Sequence, residues 1–309
     1  MKNLIVTFIL FVTTNVFALN NIKDVITDFE AKSFDMGDVI KDKRHYRVNN
    51  GGLTILERNS QERLSFHFLF YKPNRSNLKS LVVLSPNISG VTFLERRLAH
   101  RLAKEGYPVL IPCSLVEVIP FDEETASKIE RKIRRDLAGT FFAIAGLKRQ
   151  MPYLKTNKMG LVGASLGGIQ SAMLYGLDHR FQALFVAVAG GDTPSLYRDT
   201  QREDLVDFRN CHMKALGITN LGEYESYLRD FLYLDPNLII NNPLVKNVAM
   251  VISDKDNVVP TRNQWILWKK IRSIGVHPKT FILEKSHVRS ALELILKEKF
   301  LINWFARKL

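Results

Sequence analysis

The sequence predicts an α/β fold, in which a mostly parallel, doubly wound sheet carries helices on both faces. Three observations lead to this prediction. From Leu78 onward, short apolar runs alternate with longer segments whose apolar residues recur at helical spacing. One such run, Leu81-Val82-Val83-Leu84, is apolar throughout, as expected of a strand covered on both faces. A segment of about 50 residues, 192–243, interrupts the alternation and predicts an insertion.

The N-terminus has the composition of an export signal. Lys2 supplies a positive start, residues 4–12 are almost unbroken apolar, and Val16-Phe17-Ala18 places small side chains where a signal peptidase requires them. The apolar run is too short to cross a bilayer comfortably, which argues against the alternative of a retained anchor. We therefore expect residues 1–18 to be a signal peptide and the mature chain to be exported, either periplasmic or secreted.

Residues 19–309 suit a single large α/β domain that can bury a substantial core. The formal net charge is +13 at pH 7, and much of it lies in pairs such as Arg131-Lys132, which predict the solvated face of a helix. The sequence contains no nucleic-acid-binding motif, so we expect no nucleic-acid partner. Peripheral contact with an anionic envelope surface is the alternative use of this charge.

Two cysteines, Cys113 and Cys211, remain in a chain that we expect to enter an oxidising compartment. One disulfide between them and two free thiols are both compatible with the sequence. Neither cysteine has the spacing of a metal-ligand set, and we expect neither a metal nor another cofactor.

The first part of the mature chain predicts an antiparallel edge to the sheet. Residues 20–37 are mixed in composition and predict a helix or a loosely held arm. Three strands are predicted over 44–48, 53–58 and 64–71. Asn49-Asn50-Gly51-Gly52 lies between the first two and is typical of a hairpin turn.

The second part alternates between strands and helices up to the C-terminus. Gly106 follows a helical pattern and predicts its end, because glycine commonly terminates helices. The predicted strands are 78–84, 107–111, 158–162, 183–188, 248–252 and 280–283. The predicted helices are 93–104, a long one from Asp122 or Thr125 toward Arg149, 168–175, 263–273, and a closing one over about 289–308.

The insertion 192–243 has no apolar run of strand type and is rich in aromatic residues. It is too long for a plain connection inside a compact domain. We expect a helical cap over the carboxyl ends of the strands, with a pair of peripheral helices as the alternative.

Gly163-Ala164-Ser165-Leu166-Gly167 is the most informative motif, because it follows a predicted strand and precedes a predicted helix. So tight a strand-to-helix turn leaves no room for bulky neighbours and exposes the serine hydroxyl. The helix also directs backbone N–H groups and the positive end of its dipole at that hydroxyl. The motif predicts Ser165 as a nucleophile, with a plain glycine-rich turn as the alternative.

A serine hydroxyl is a poor nucleophile near neutral pH, so it needs a base and a carboxylate that orients the base. Asp256 lies in an acid-rich turn after the strand 248–252, and we prefer it to Asp254, which leaves the strand too early to reach across to a histidine. His287 follows the last strand and precedes the closing helix, where a loop can hold an imidazole beside the serine. His277 and His212 are weaker candidates for the base.

The oxyanion that develops during acyl transfer needs a pair of hydrogen-bond donors. The N–H of Leu166, the residue after the nucleophile, is the first predicted donor. The second is predicted in the loop 85–90, where we assign the N–H of Asn87 with Ile88 as the close alternative. Pro86 is excluded because proline has no N–H.

Taken together, these motifs resemble the α/β-hydrolase superfamily. The resemblance is carried by residues 81–84 and the loop after them, Gly106-Tyr107-Pro108-Val109-Leu110-Ile111-Pro112, the Ser165 motif, the Asp256 turn and His287. It covers roughly 78–309 without the cap. It implies an eight-stranded core sheet, a Ser165-Asp256-His287 triad and, usually, hydrolysis of an ester, thioester or amide.

The chain departs from the family pattern at two places. Ser85-Pro86 replaces the usual His-Gly pair after the third strand, which bears on the oxyanion hole, and Cys113-Ser114 replaces an acid often found after the fourth. Neither departure removes a member of the triad. The single cap and the short N-terminal strands look more like the dienelactone-hydrolase and esterase branches than the propeller-bearing peptidases.

The sequence therefore predicts an exported serine hydrolase that cleaves a carboxylic ester or thioester through an acyl-enzyme. We expect a small-molecule or lipid-like ester as substrate. An acyltransferase or peptidase on the same fold, and a non-catalytic envelope-associated binding protein, are the alternatives.

Overall fold

The structure, a computed structural model, describes residues 21–113, 121–241 and 247–309. The predicted signal peptide 1–18, Ser114 and the predicted end of the insertion at Pro243 lie outside these ranges. The described residues form nine strands: β1 Phe29–Lys43, β2 Tyr46–Glu57, β3 Arg63–Pro73, β4 Ser80–Ser85, β5 Val109–Cys113, β6 Lys155–Ala164, β7 Phe181–Ala187, β8 Asn247–Ser253 and β9 Lys279–Leu283.

The helices of the described residues cover both faces of the sheet and form the insertion. In chain order they are α1 Ile22–Ile26, α2 Phe93–Lys104, α3 Thr125–Gln150, α4 Leu166–Leu177, α5 Thr193–Asp199, α6 Glu203–Leu216, α7 Leu221–Arg229, α8 Pro236–Ile239, α9 Thr261–Ser273, α10 His287–Ala291, α11 Glu293–Leu296 and α12 Glu298–Lys308.

One sheet joins all nine strands in the order β1-β2-β3-β5-β4-β6-β7-β8-β9. The six strands β5, β4, β6, β7, β8 and β9 pair in parallel with their neighbours in the sheet. Strands β1, β2 and β3 add an antiparallel edge beside β5. Side chains of β4 alternate between two apolar layers: Leu81 and Val83 pack toward α3, α4 and α9, whereas Val82 and Leu84 pack toward α2, α11 and α12. The mostly parallel sheet with helices on both faces confirms the predicted doubly wound α/β class. A strand buried on both faces in this way is apolar throughout and shows no polar alternation.

Within the described ranges the sheet has nine strands rather than the eight implied by the family resemblance. The extra strand is β1, which occupies much of the segment predicted to be a helix or an arm, after the short helix α1. Three register shifts against β2 interrupt its alternation, between Ala31 and Ser33, between Asp35 and Asp38, and between Val39 and Lys41. Most residues of β1 are exposed, because it is an edge strand of the sheet. Bulges of this kind break the period of two by which a strand is recognised.

The predicted hairpin at Asn49-Asn50-Gly51-Gly52 is wrong, since these residues lie inside the continuous strand β2. Packing explains the glycine at 51: a Cβ there would lie 2.3 Å from the ring atom Cζ of Phe68 and 2.8 Å from the carbonyl oxygen of Asp35. Glycine in a strand interior often marks such a close approach rather than a turn. The chain instead reverses between β1 and β2 and between β2 and β3.

We expect Gly51→Ala to lower the free energy of unfolding by about 1–3 kcal/mol, because the added methyl group overpacks the Phe68 ring. Gly52→Ala is the matched control, since the nearest atom to a Cβ at that position is 3.5 Å away, an ordinary contact. Urea unfolding of both variants is the measurement. Equal stability of the two variants would contradict this account of the glycine.

The insertion between β7 and β8 is helical in its described part, residues 192–241, where α5 to α8 follow one another. Its aromatic residues pack together rather than facing solvent. Tyr224 and Leu228 of α7 and Met213 of α6 form a buried cluster with Ala126 and Ile129 at the start of α3. This apolar contact attaches the insertion to the main domain.

A buried carboxylate reinforces the same attachment. Both oxygens of Glu130 on α3 accept the backbone N–H of Leu234, at 3.2 and 3.1 Å, and Arg134 lies 3.5 Å away. Burial disfavours the charged form and raises the pKa of Glu130 from 4.5 to about 7. The protonated state is therefore favoured in the folded protein over a pH window in which the unfolded chain is already ionised.

Stability should fall as pH rises through this window. Below pH 4.5 the carboxyl is protonated in both states, and between 4.5 and about 7 only the folded protein holds the proton. Glutamine does not ionise, so Glu130→Gln should escape this loss. We expect its free energy of unfolding, relative to that of the wild type, to be higher at pH 8 than at pH 5 by an amount on the order of 3 kcal/mol. Unfolding at both pH values is the measurement. Glu124→Gln, at a side chain that is 77% exposed, is the control, and identical pH dependence of the two variants would refute the expectation.

Candidate active site

Ser165 lies at the junction of β6 and α4, in a backbone conformation that L-residues rarely adopt. Its φ is 55° and its ψ −128°. The flanking glycines are required by close approach: a Cβ at Gly163 would lie 2.2 Å from the carbonyl oxygen of Gly167, and a Cβ at Gly167 would lie 2.2 Å from that of Ser85. Strain of this kind persists only where the surrounding structure imposes it, and it clusters at functional sites.

The N-terminus of α4 supplies hydrogen-bond donors beside this hydroxyl. The helix begins at Leu166, and the first intrahelical bond of the usual spacing runs from Ile169 N–H to Ser165 O at 3.0 Å. The N–H groups of Leu166 and Gly167 therefore have no acceptor within the helix. A predicted oxyanion donor needs such a free N–H, and Leu166, next to the predicted nucleophile, stays the first predicted donor.

His287 and Asp256 are brought together by the carboxyl ends of β8 and β9. The imidazole Nδ1 of His287 lies 2.7 Å from Asp256 Oδ2, and both residues are buried. Asp256 Oδ1 accepts the N–H groups of Val258 and Val259 at 2.9 and 3.0 Å, which holds the carboxylate in place. Asp254, the rival candidate, is exposed. The structure thus pairs the preferred aspartate with the predicted base.

Gln264 on α9 is a site residue that the sequence analysis missed. Its Nε2 donates to Asp256 Oδ2 at 2.9 Å, the same oxygen that faces His287, and its Oε1 accepts the N–H of Ser253 at 3.0 Å. The sequence held a signal, because Gln264, Leu267 and Ile271 recur at helical spacing and all are buried. A polar residue on the apolar face of a helix needs a buried partner.

We expect Gln264→Met to lower both stability and turnover. The change leaves the Ser253 N–H without its acceptor and removes one of the donors to Asp256 Oδ2, at a cost of about 1–3 kcal/mol. Unfolding in urea and kcat on an ester substrate are the measurements. Gln150→Met, at an exposed glutamine, is the control. An active site that is unaffected by Gln264→Met would show that Asp256 needs no support from α9.

The loop 85–90 contains the second predicted oxyanion donor, and the surroundings of Asn87 bear on that prediction. The N–H of Asn87 is directed at Glu95 Oε1 of α2, 3.4 Å away, and the Asn87 side-chain amide donates to the same oxygen at 3.0 Å. Glu95 is buried because it also caps α2, where it accepts the N–H of Thr92 at 2.8 Å. Asn87 and Ile88, the close alternative, both line space beside Ser165, so Ile88 stays the second candidate donor.

Two pockets meet at Ser165, and Ile88 and Arg202 line both of them. The first, which we call the cap pocket, lies between α4 and the insertion helices α5 and α6. The second, the histidine pocket, is bordered by His287, by the loop 85–90 and by α10. Ser165 and His287 both line the histidine pocket.

The remaining candidates lie elsewhere. His212 is fully buried in the insertion with its Nδ1 3.0 Å from the Tyr224 hydroxyl, and His277 is exposed beside Arg272. Cys113 and Cys211 are both free thiols, and burial raises the pKa of Cys113. Within the described ranges, no group of three or more histidine, cysteine or acidic side chains is arranged to hold a metal ion. No helix there has the length and apolarity needed to cross a membrane.

Comparison with known proteins bears on the fold. No protein-family model matches the sequence, and no curated protein does either. An acetyl xylan esterase from Paenibacillus sp. R4 is structurally similar, with a TM-score of 0.69 at 9% identity over 93% of this chain and 92% of that one. Acetyl xylan esterase 1 from Thermoanaerobacterium sp. JW/SL YS485 gives a TM-score of 0.67 at 13% identity, over 92% of each chain.

A peptidase is also among the similar structures. The acylaminoacyl peptidase of Pyrococcus horikoshii matches with a TM-score of 0.59 at 15% identity, over 91% of this chain but only 50% of that one. At such low identities the likeness of all these proteins establishes a shared fold.

Proposed function

We propose that the chain, which has the α/β-hydrolase fold of these neighbours, is an exported serine hydrolase that cleaves carboxylic esters or thioesters. One observation carries the proposal: His287, which lies 2.7 Å from the buried Asp256 carboxylate, borders the same pocket as a serine held on a strained strand-to-helix turn. The esterases and peptidases among the structural neighbours support a hydrolase.

The proposed reaction has two halves. In the first, Ser165 Oγ attacks the carbonyl carbon while His287 Nε2 takes the hydroxyl proton, and the oxyanion accepts the Leu166 N–H. The C–O bond to the alcohol then breaks, and His287 gives its proton to the leaving oxygen. In the second, water attacks the acyl-enzyme through the same base and releases the acid and free Ser165. Asp256 holds the imidazole so that Nε2 faces the serine.

Esters are the proposed bond class for a chemical reason. An alkoxide is a better leaving group than an amide nitrogen, which must be fully protonated before it departs. The acetyl xylan esterases among the neighbours support an ester substrate. An acyltransferase would use the same residues and deliver the acyl group to an acceptor alcohol instead of water.

Four measurements on one preparation test the proposal. The full chain, expressed in a Gram-negative host, should yield active protein in the periplasmic fraction. It should react with a fluorophosphonate probe and hydrolyse p-nitrophenyl esters. The ratio of hydrolysis to transfer in the presence of an acceptor alcohol distinguishes a hydrolase from an acyltransferase. A folded, purified protein that neither reacts with the probe nor cleaves any ester in the series would overturn the proposal.

A further inference from the structure

We infer that the two pockets at Ser165 divide the substrate, so that the cap pocket takes the acyl group and the histidine pocket takes the alcohol. The inference rests on the proposed function and deepens it, because it assigns a substrate class to that site. The two pockets share Ser165, Ile88 and Arg202 and otherwise have different walls.

The path of the proton decides which pocket holds the alcohol. The tetrahedral carbon bears the serine oxygen, the oxyanion, the acyl chain and the leaving oxygen. His287 must give its proton to the leaving oxygen, so the alcohol has to lie within hydrogen-bond reach of the imidazole. In the part of the chain that the structure describes, His287 lines the histidine pocket and is not part of the cap pocket wall. The acyl chain then lies in the cap pocket, on the other side of Ser165 and beside Leu166.

The wall of the cap pocket suits an apolar chain. Met173 of α4, Leu196 of α5 and Val259 are buried and line it, together with Leu205 of α6. An apolar chain placed there leaves water for apolar surroundings, which is favourable in proportion to the area removed. The insertion helices contribute much of this wall, so the insertion sets acyl specificity.

The size of the cap pocket limits the length of the chain. Its volume is about 100 Å³. An engineered apolar cavity of about 150 Å³ binds benzene, so a pocket smaller than that suits a short acyl group. Short acyl groups fit inside, and longer ones must displace the half-buried side chain of Leu205 or extend past α6.

The histidine pocket has a different character, suited to a larger and amphipathic alcohol. Ser89 provides a polar group on one side, while Val288 and Leu292 form an apolar rim on the other. Val288 is 65% exposed and Leu292 41%, so the pocket opens directly to solvent. An alcohol larger than the pocket can therefore extend outward without a clash. The substrate class that follows is an ester of a short apolar acid with a larger alcohol that has both polar and apolar parts.

Two matched leucine-to-tryptophan variants test the division. Leu205→Trp fills the cap pocket, and Leu292→Trp narrows the histidine pocket; both side chains reach the surface, and circular dichroism verifies the fold of each variant. The substrates form two series: p-nitrophenyl esters from acetate to octanoate, and butyrate esters of methanol and of progressively bulkier alcohols.

For Leu205→Trp we expect the butyrate-to-acetate ratio of kcat/KM to fall at least about tenfold, because each methylene in an apolar pocket is worth about that factor or more. Its alcohol series should keep the wild-type ratios. For Leu292→Trp the alcohol series should change and the acyl series should not. The reverse pattern, or no change in either ratio, would overturn the inference while leaving an active serine hydrolase. Absence of ester hydrolysis by the wild type would instead overturn the proposed function and this inference with it.

Discussion

Replacing Ser165 by alanine should lower kcat for ester hydrolysis by a factor on the order of 10⁴ to 10⁶, since the change removes the hydroxyl that forms the proposed acyl-enzyme. Fluorophosphonate labelling should disappear with it. The fold should survive, because alanine at φ 55° bears the same strain as serine and occupies the same space without its hydroxyl. Residual turnover would reflect the oxyanion donors and substrate binding alone.

The control for this prediction is Ser226→Ala on α7. The Ser226 hydroxyl donates to the backbone oxygen of Gly222 at the exposed surface of the insertion, so its removal should change neither labelling nor turnover. The measurements are kcat on a p-nitrophenyl ester and the stoichiometry of labelling. Wild-type turnover in Ser165→Ala would mean that the nucleophile lies elsewhere.

Asp256→Asn should lower kcat by a factor on the order of 10⁴, through the tautomer of the histidine rather than through lost geometry. Both carboxylate oxygens face donors: Oδ1 accepts two backbone N–H groups, and Oδ2 faces His287 Nδ1 and the Gln264 amide. An asparagine must place its own NH₂ group against donors in either orientation. The imidazole can relieve the conflict only by carrying its proton on Nε2, where it can no longer accept one from serine.

Asp254→Asn provides a matched control two residues away. Its carboxylate is exposed, and we expect kcat within about twofold of the wild type and stability within about 0.5 kcal/mol. The pair of variants should be compared by kcat and by urea unfolding. A larger loss of activity in Asp254→Asn than in Asp256→Asn would reverse the assignment of the acid.

Several elements were predictable because their signals are local. Helix α2 has the predicted bounds, since Thr92 and Glu95 cap its start and Gly106, with φ 95°, follows its end. The turn at Ser165 is equally local, because the small neighbours that the tight turn requires lie within two residues of the serine.

Other features depend on residues far apart in the chain and had no local signal. The pair Gly51-Gly52 is typical of a turn, yet it lies inside a strand. Glycine is needed at position 51 because the Phe68 ring, from another strand, fills the space that a Cβ would take. The contact between the Asn87 N–H and Glu95, eight residues later, likewise had no local signal. The closing helix was predicted as one element and is divided into α10, α11 and α12.

The alternation of strands and helices from Leu78 up to the insertion, the tight turn at Ser165 and the choice of the candidate acid and base followed from the amino-acid pattern. Each of these depends on backbone preferences and polarity over a few neighbouring residues. The pairing of Asp256 with Gln264, the donor in the loop 85–90 and the two pockets at Ser165 needed the folded chain. Such features arise where separate segments meet. Distances between those segments are set by how the helices and the sheet pack, which a linear pattern of residues does not encode locally.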